Sequence, residues 1–286
     1  MTPFVLVHPR SADEAMAALR ASSPTDVAVL AGGTDLLLDI EHERIAPRRL
    51  VSLRYLPWKF LEWSGGSLTI GSTLPLRTLE SDPKVRERIP GLWQAVRAVG
   101  SVALRHRATL GGNLVRSAPA SDLLPILLAL DAEVELIDPR GSRWIPVDGF
   151  LSASRRPNLE FGELLRSLRI PEARPSAYRW QRVRPVNDIS QVGVAVARSP
   201  SKGTYQIAVG DVWPRPVRVG PAEEALRSHP PTDAEVRSAA GIASRLSLFA
   251  TDRRGSEEYR RRIVEVLIRR ALTDVRVGVD PPRSTS

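Results

Sequence analysis

At 286 residues and 42% hydrophobic, with a net charge of +9 carried almost wholly by arginine, the chain is long enough for two or three packed units. It is too apolar along its length to be disordered before the short tail after Gly278. It has no cysteine and four histidines (His8, His42, His106 and His229), which excludes an iron–sulfur cluster and leaves little to hold zinc, so any metal chemistry falls to another chain.

In chain order, Ser11 and Glu14 stand in capping-box spacing ahead of Met16 and Leu19, predicting a short amphipathic helix over 11–20. Val27, Val29 and Leu30 then predict a strand running into Ala31-Gly32-Gly33-Thr34-Asp35. Leu36 to Ile40 follow as a helix and Leu50 to Leu53 as another strand, so the first fifty-odd residues read as a small α/β unit. From Leu68-Thr69-Ile70-Gly71 the pattern becomes antiparallel. A helix is expected near Leu92 to Val99 and a strand at Glu133 to Ile137. Asp138-Pro139-Arg140-Gly141 reads as a hairpin turn into Trp144 to Val147. Three later strands are predicted at Tyr178–Val183, Gln191–Arg198 and Tyr205–Val212. Helices follow at Pro221–Ser228, after a Thr232/Glu235 capping box, and from Ser256. In the last, Tyr259, Ile263, Val266, Leu267 and Ala271 recur at helical spacing, while Arg260-Arg261-Arg262 and Arg269-Arg270 mostly face away as a solvated or partner-facing surface.

The longest apolar stretch, Leu123 to Leu130, is far short of the roughly 20 residues a membrane helix needs. The opening residues lack the basic lead and cleavage pattern of a signal peptide, so a cytoplasmic chain is expected. Arginine forks suit phosphates and carboxylates alike, but the basic residues are scattered from Arg10 to Arg283 and form no arm for nucleic acid.

The informative feature is a pair of Gly-Gly turns, Ala31-Gly32-Gly33-Thr34-Asp35 and Thr109-Leu110-Gly111-Gly112-Asn113. Glycines let main-chain N–H groups close on an anion, and the first turn also precedes a helix, whose N-terminus favours a phosphate. Either turn alone reads as an ordinary tight turn; together they point to a dinucleotide. The second runs on through Arg116 and Ser117 to Ser121 and Asp122, hydroxyls and a carboxylate suited to ribityl or ribose groups, although on spacing alone Asp122 reads more strongly as an N-cap. Neither turn fits G-x-G-x-x-G, so a Rossmann site is not supported, and no Gly-Lys-Ser or Gly-Lys-Thr occurs, which excludes a P-loop. His106, between two arginines, reads as structural or surface.

An ordered series of motifs resembles a known family. It comprises Ala31-Gly-Gly-Thr-Asp-Leu-Leu37, Leu68-Thr-Ile-Gly71, Leu104-Arg-His-Arg-Ala-Thr-Leu-Gly-Gly-Asn113, Ser117-Ala-Pro-Ala-Ser-Asp122, Leu128-Ala-Leu-Asp-Ala132, Gly162-Glu-Leu-Leu165, Asn187-Asp-Ile189 and Glu258-Tyr-Arg-Arg-Arg262. Together these resemble the FAD-binding medium subunits of molybdenum hydroxylases, of the carbon monoxide dehydrogenase and xanthine dehydrogenase type. The resemblance implies an α+β, two-lobed FAD-binding (PCMH-type) fold. Its N-terminal α/β lobe would span 1–55, its antiparallel middle lobe 56–174, and a C-terminal antiparallel sheet with helices 175–286. It implies that Val29, Leu30, Ala31, Gly32, Gly33, Thr34, Asp35 and Leu36, with Thr109, Gly111, Gly112 and Asn113, cradle the FAD pyrophosphate. Ser117, Ser121 and Asp122 would meet hydroxyls, Leu165 would pack on the cofactor, and Asp188 would lie on a loop near the isoalloxazine. Two departures stand out: Trp180 where several relatives carry a lysine near the flavin, and Val99 where some carry an aromatic at the adenine. Gln181, Arg182 or Arg184 would then take the lysine's role, or the flavin potential would differ.

The family scheme implies no catalytic residue on this chain. A large molybdopterin subunit and a small subunit with two-iron two-sulfur clusters would complete a dimer of heterotrimers, this chain's FAD passing electrons to an external acceptor. The alternative is a stand-alone flavin oxidase of the vanillyl-alcohol-oxidase type, which would need acid–base residues of its own; an arginine-rich nucleic-acid module is a third reading.

Overall fold

The computed structural model describes residues 3–152, 157–184, 188–212, 215–246 and 249–277. The tail after Gly278 and Asn187 of the Asn187-Asp-Ile189 motif lie outside the described residues. Three sheets divide the chain. The first is parallel, built from β1 (Val5–Val7), β2 (Val27–Leu30) and β3 (Arg49–Ser52) in the order β1-β3-β2, with α1 (Ala12–Arg20) and α2 (Leu36–Glu41) as connections. Ser11 caps α1 by accepting from the Glu14 amide at 3.1 Å, and Ala15, Met16 and Leu19 form the buried face that the spacing predicts. That face packs with Val27 and Val51 against Ile137 and Leu164 of the next sheet.

The second sheet is antiparallel: β4 (Leu61–Ser64), β5 (Ser67–Gly71), β6 (Glu133–Asp138), β7 (Gly141–Pro146) and β8 (Leu164–Ile170), ordered β4-β5-β8-β6-β7. The expected hairpin closes with Asp138 opposite Gly141, the Asp138 carboxylate accepting from the Arg140 amide at 2.7 Å. Between β5 and β6 run α3 (Leu76–Ser81), α4 (Pro83–Arg88), α5 (Pro90–Ala98), α6 (Val102–Arg105), α7 (Leu110–Arg116) and α8 (Leu123–Ala129), with α9 (Val147–Phe150) after β7. Every residue of α8 is buried, which explains its unbroken apolar sequence.

The third sheet is antiparallel, β12-β11-β10-β9, from β9 (Ser176–Gln181), β10 (Val192–Arg198), β11 (Tyr205–Gly210) and β12 (Val217–Arg218). It is covered on both faces. Ala195, Ala197 and Ala208 belong to the middle-lobe core with α5 and α8, whereas Val192, Val194 and Val196 join α11 (Asp233–Ser244) and α12 (Glu257–Val277). A strand buried on both faces reads as a continuous apolar run, as β10 does. Edge strand β9 is closed off by α5, whose Gln94 accepts from the Tyr178 amide at 2.7 Å. The Thr232/Glu235 capping box opens α11 as expected, while α10 (Gly220–Glu224) is shorter than predicted.

The phase of α12 departs from the sequence expectation. Tyr259 and Val266 are 37% and 38% exposed, and the buried stripe is Val264, Leu267, Ile268, Ala271, Leu272 and Val275. Arg260 faces inward with 3% exposure, donating to the Gln191 carbonyl and to Asp252 Oδ1. The carbonyl and carboxylate acceptors pair its two terminal nitrogens and leave Nε without a partner, on a side chain that the sequence pattern placed outward. Among the described residues no helix is long and apolar enough to cross a membrane.

Candidate functional site

The first glycine turn leaves β2 and enters α2 with Gly33 at φ +80°. Its main-chain donors are unpaired: among the described residues, the amides of Gly32, Gly33, Thr34 and Asp35 donate to no protein acceptor. Adjacent free N–H groups around a left-handed glycine make a concavity for an anion. The turn is also pressed against the middle lobe. A Cβ on Gly32 would lie 2.1 Å from the Arg107 carbonyl oxygen and 3.1 Å from the Ala108 Cα, so only glycine fits. Ala108 precedes Thr109, and the two glycine turns therefore meet at the lobe boundary.

The second turn is built differently. Thr109 is the N-cap of α7 and its hydroxyl accepts from the Gly112 amide at 3.1 Å. The Leu110, Gly111 and Asn113 amides donate to the carbonyls of Leu74, Ser72 and Thr109. The expectation of a second amide cradle is thus corrected: α7 and the adjoining strand end consume those donors. Gly111 serves packing, since a Cβ there would sit 2.6 Å from Ser72 Cβ. What the second turn leaves available is side-chain chemistry, above all the Asn113 amide group, whose Oδ1 accepts from Ser121 at 2.6 Å. Ser117 ends α7 in the left-handed conformation with φ 48°. Arg116 straps the two turns together through Asp39 at 2.7 Å and Asp35 at 3.7 Å. Burial pushes the Asp39 pKa up, but hydrogen bonds and charge from Arg44 and Arg116 outweigh it and hold the group below its ordinary value.

Of the two roles that the sequence left open for Asp122, the side-chain cap is not formed. The Asp122 carboxylate is occupied by Tyr178 (2.8 Å), Ser190 (2.6 Å) and Arg182 (3.1 Å). Through these contacts it fastens β9 and the loop before β10 onto α8. Burial raises its pKa, and Arg182, Ser190 and Tyr178 only partly offset that. Asp211 is pushed further up by burial and by Asp122, and its Oδ1 is buried without a hydrogen-bond partner. Leu165 is 5% exposed in the middle-lobe core, paired across the sheet with Leu136. Asp188 closes its own loop by accepting from the Arg184 and Ile189 amides at 2.9 and 3.0 Å. Trp180 stacks on Tyr178 at 5.7 Å between centroids, with the Arg182 guanidinium also 5.7 Å from its ring. Of the three replacements considered for the lysine, Arg182 is the one held beside that indole. Val99 ends α5 half-buried, and its carbonyl accepts from Arg105 at 2.9 Å. His106 is exposed at the end of α6.

Residues 2–173 match the model of the FAD binding domain in molybdopterin dehydrogenase, and residues 176–275 match the CO dehydrogenase flavoprotein C-terminal domain. The chain belongs to the molybdopterin dehydrogenase FAD-binding family. It is similar to the carbon monoxide dehydrogenase medium chain of Hydrogenophaga pseudoflava, 28% identical over 270 residues that cover 92% of this chain and 94% of that one. It is also similar to the nicotine 6-hydroxylase medium subunit of Paenarthrobacter nicotinovorans, 31% identical over 260 residues and covering 88% and 91%. A solved structure of carbon monoxide dehydrogenase from Hydrogenophaga pseudoflava matches with a TM-score of 0.88, covering 96% of this chain and 98% of that one. The α+β architecture is that of this family's flavoprotein chains.

Within this family member, the donors of the first turn and the collision that any Cβ on Gly32 would cause fit a diphosphate approached by main chain. Sequence reasoning missed Arg107, Ser72, Arg116, Tyr178 and Ser190. Each acts through a contact distant in sequence, and no local spacing announces such a partner.

Proposed function

We propose that the chain binds FAD between its N-terminal lobe (1–55) and middle lobe (56–174), with residues 175–286 docked behind. It then serves as the electron-transferring medium subunit of a molybdenum-containing hydroxylase or dehydrogenase. The observation that carries this reading is the row of free amides from Gly32 to Asp35, seated against Arg107 and Ala108. Those amides would hold the diphosphate, Val29, Leu30 and Leu36 would frame it, and the Asn113 side-chain amide would reach it from the other lobe. Ser117 and Ser121 stand beside Asn113 and would bind sugar or ribityl hydroxyls. Asp122 supports this wall from behind, and Asp188 keeps the loop after β9 closed. Bound FAD would supply the redox chemistry, accepting electrons from two-iron two-sulfur clusters of a small partner subunit and releasing them to an external acceptor. Substrate oxidation belongs in this reading to a large molybdopterin subunit, and the relatives' description as medium chains supports a larger and a smaller partner, which the proposal arranges as a dimer of heterotrimers in the cytoplasm.

No general acid or base is required of this chain, whose task is to bind, orient and exclude water. Co-expression with the neighbouring subunits tests the reading. The purified complex is expected to be yellow with stoichiometric FAD, and a Gly33→Trp variant to lose the colour. A colourless wild-type complex overturns it.

A further inference from the structure

The outward face of α12 has no part in the site described. Opposite its buried stripe, Tyr259, Val266 and Thr273 recur every seven residues, the first two more than a third exposed. Beside them Arg269 and Arg270 have no carboxylate within ion-pair distance among the described residues, whereas Arg262 is neutralised by Glu258 at 2.5 Å. Val266, Arg269, Arg270 and Thr273 line an open cleft of about 510 Å³ with Arg179 and Asp274. Arg179 and Asp274 satisfy each other at 2.6 Å, so the cleft keeps the positive charge of its other two arginines.

We propose that this face docks an acidic, partly apolar segment of a partner subunit. The inference rests on the reading of the chain as one member of a multi-subunit enzyme and adds the surface through which it assembles. The row of Tyr259, Val266 and Thr273, apolar at its first two positions, matches the ridge of a helix or an extended strip of side chains, and flanking guanidiniums match carboxylates by bidentate pairing. A nucleic-acid backbone answers the charge but leaves Tyr259 and Val266 uncovered. A free inorganic anion leaves that row uncovered as well. Elsewhere buried or half-buried arginines such as Arg105, Arg174 and Arg218 are matched to carboxylates within the fold. The unmatched pair on α12 is therefore available to a carboxylate from outside.

The test uses the complete complex, co-expressed and purified on a tag carried by this chain, with partner retention measured across a salt titration. Charge reversal in the Arg269→Glu/Arg270→Glu variant is expected to lower retention roughly ten-fold or more and to shift release to lower salt. The Arg269→Lys/Arg270→Lys variant, which keeps the charge and loses the fork, is expected to fall between the wild type and the reversed variant, and Val266→Asp to weaken retention. Flavin absorbance per chain, read in parallel, is expected to stay unchanged in all three, which separates docking from folding and cofactor loading. A flavin-loaded complex whose retention ignores charge reversal overturns the docking site alone. So does wild-type protein that carries nucleic acid which the reversed variant releases. A wild-type chain that purifies alone and flavin-free overturns the functional reading and this inference together.

Discussion

The two Gly-Gly turns use the same dipeptide for opposite ends. At Gly32-Gly33 an edge strand runs into a six-residue helix with no side-chain cap, and the main chain keeps its donors. At Gly111-Gly112 the dipeptide sits inside the first turn of α7, where a threonine cap, its own helix and two carbonyls from Ser72 and Leu74 consume the main-chain donors of Leu110 to Asn113. Absence of a side chain serves two purposes: it frees main chain toward a ligand, or it lets a helix close onto a neighbouring segment. Which purpose is served depends on whether acceptors already lie within reach.

Gly32→Val would break the first half of the contrast most severely. Its Cβ would need to occupy space 2.1 Å from the Arg107 carbonyl oxygen, which is main chain and cannot swing aside. The N-terminal lobe must then shift off the middle lobe and take the free amides with it. A fall of about 100-fold in FAD affinity is expected in an absorbance titration, roughly 2.8 kcal/mol. Affinity like that of the wild type would show that the lobe boundary is not where FAD binds. Gly111→Ala is next in size. Its Cβ would lie 2.7 Å from the Ser72 carbonyl oxygen, an overpacking that costs about 1–3 kcal/mol and lowers the unfolding midpoint. FAD affinity should suffer less than in Gly32→Val, and the reverse ranking would make α7 the principal anion site.

Legibility follows the range of the interactions. The Ser11 cap, the Asp138 turn and the Thr232/Glu235 box are closed within four residues, and each was readable from spacing. The first turn was readable because its chemistry is its own main chain. The second turn was misread in mode because Ser72 and Leu74, which take its donors, lie on a segment that only the folded middle lobe brings alongside. Asp122 was left between cap and ligand because Tyr178, Arg182 and Ser190 reach it from the other side of the domain junction. On α12 two apolar phases compete in the sequence. Val264, Ile268 and Leu272 win because Arg260 finds acceptors at Gln191 and Asp252, a pairing that no helical wheel contains.

Two smaller perturbations sharpen the contrast. Thr109→Val removes the cap on α7 at a cost of about 1 kcal/mol and frees the Gly112 amide, which the wild-type hydroxyl occupies. If that hydroxyl serves the helix alone, the unfolding midpoint falls while FAD affinity holds or rises slightly. A large loss of affinity would assign the hydroxyl to the ligand.

The smallest effect belongs to Asp39, through which Arg116 ties α7 to α2 and so holds one turn against the other. Its folded pKa lies below the ordinary 3.8, so the folded state binds the proton less readily than the unfolded chain does. Stability from this carboxylate is complete above the ordinary value and drains away as pH falls through the depressed one. Acid unfolding of the wild type should therefore steepen below about pH 4 relative to Asp39→Asn. Arg116→Gln, which keeps the Arg44 pair at 2.9 Å, should show an intermediate slope. Identical acid profiles for the three proteins, followed by tryptophan fluorescence, would mean that the strap contributes nothing and that the turns are held by the Gly32–Arg107 contact alone.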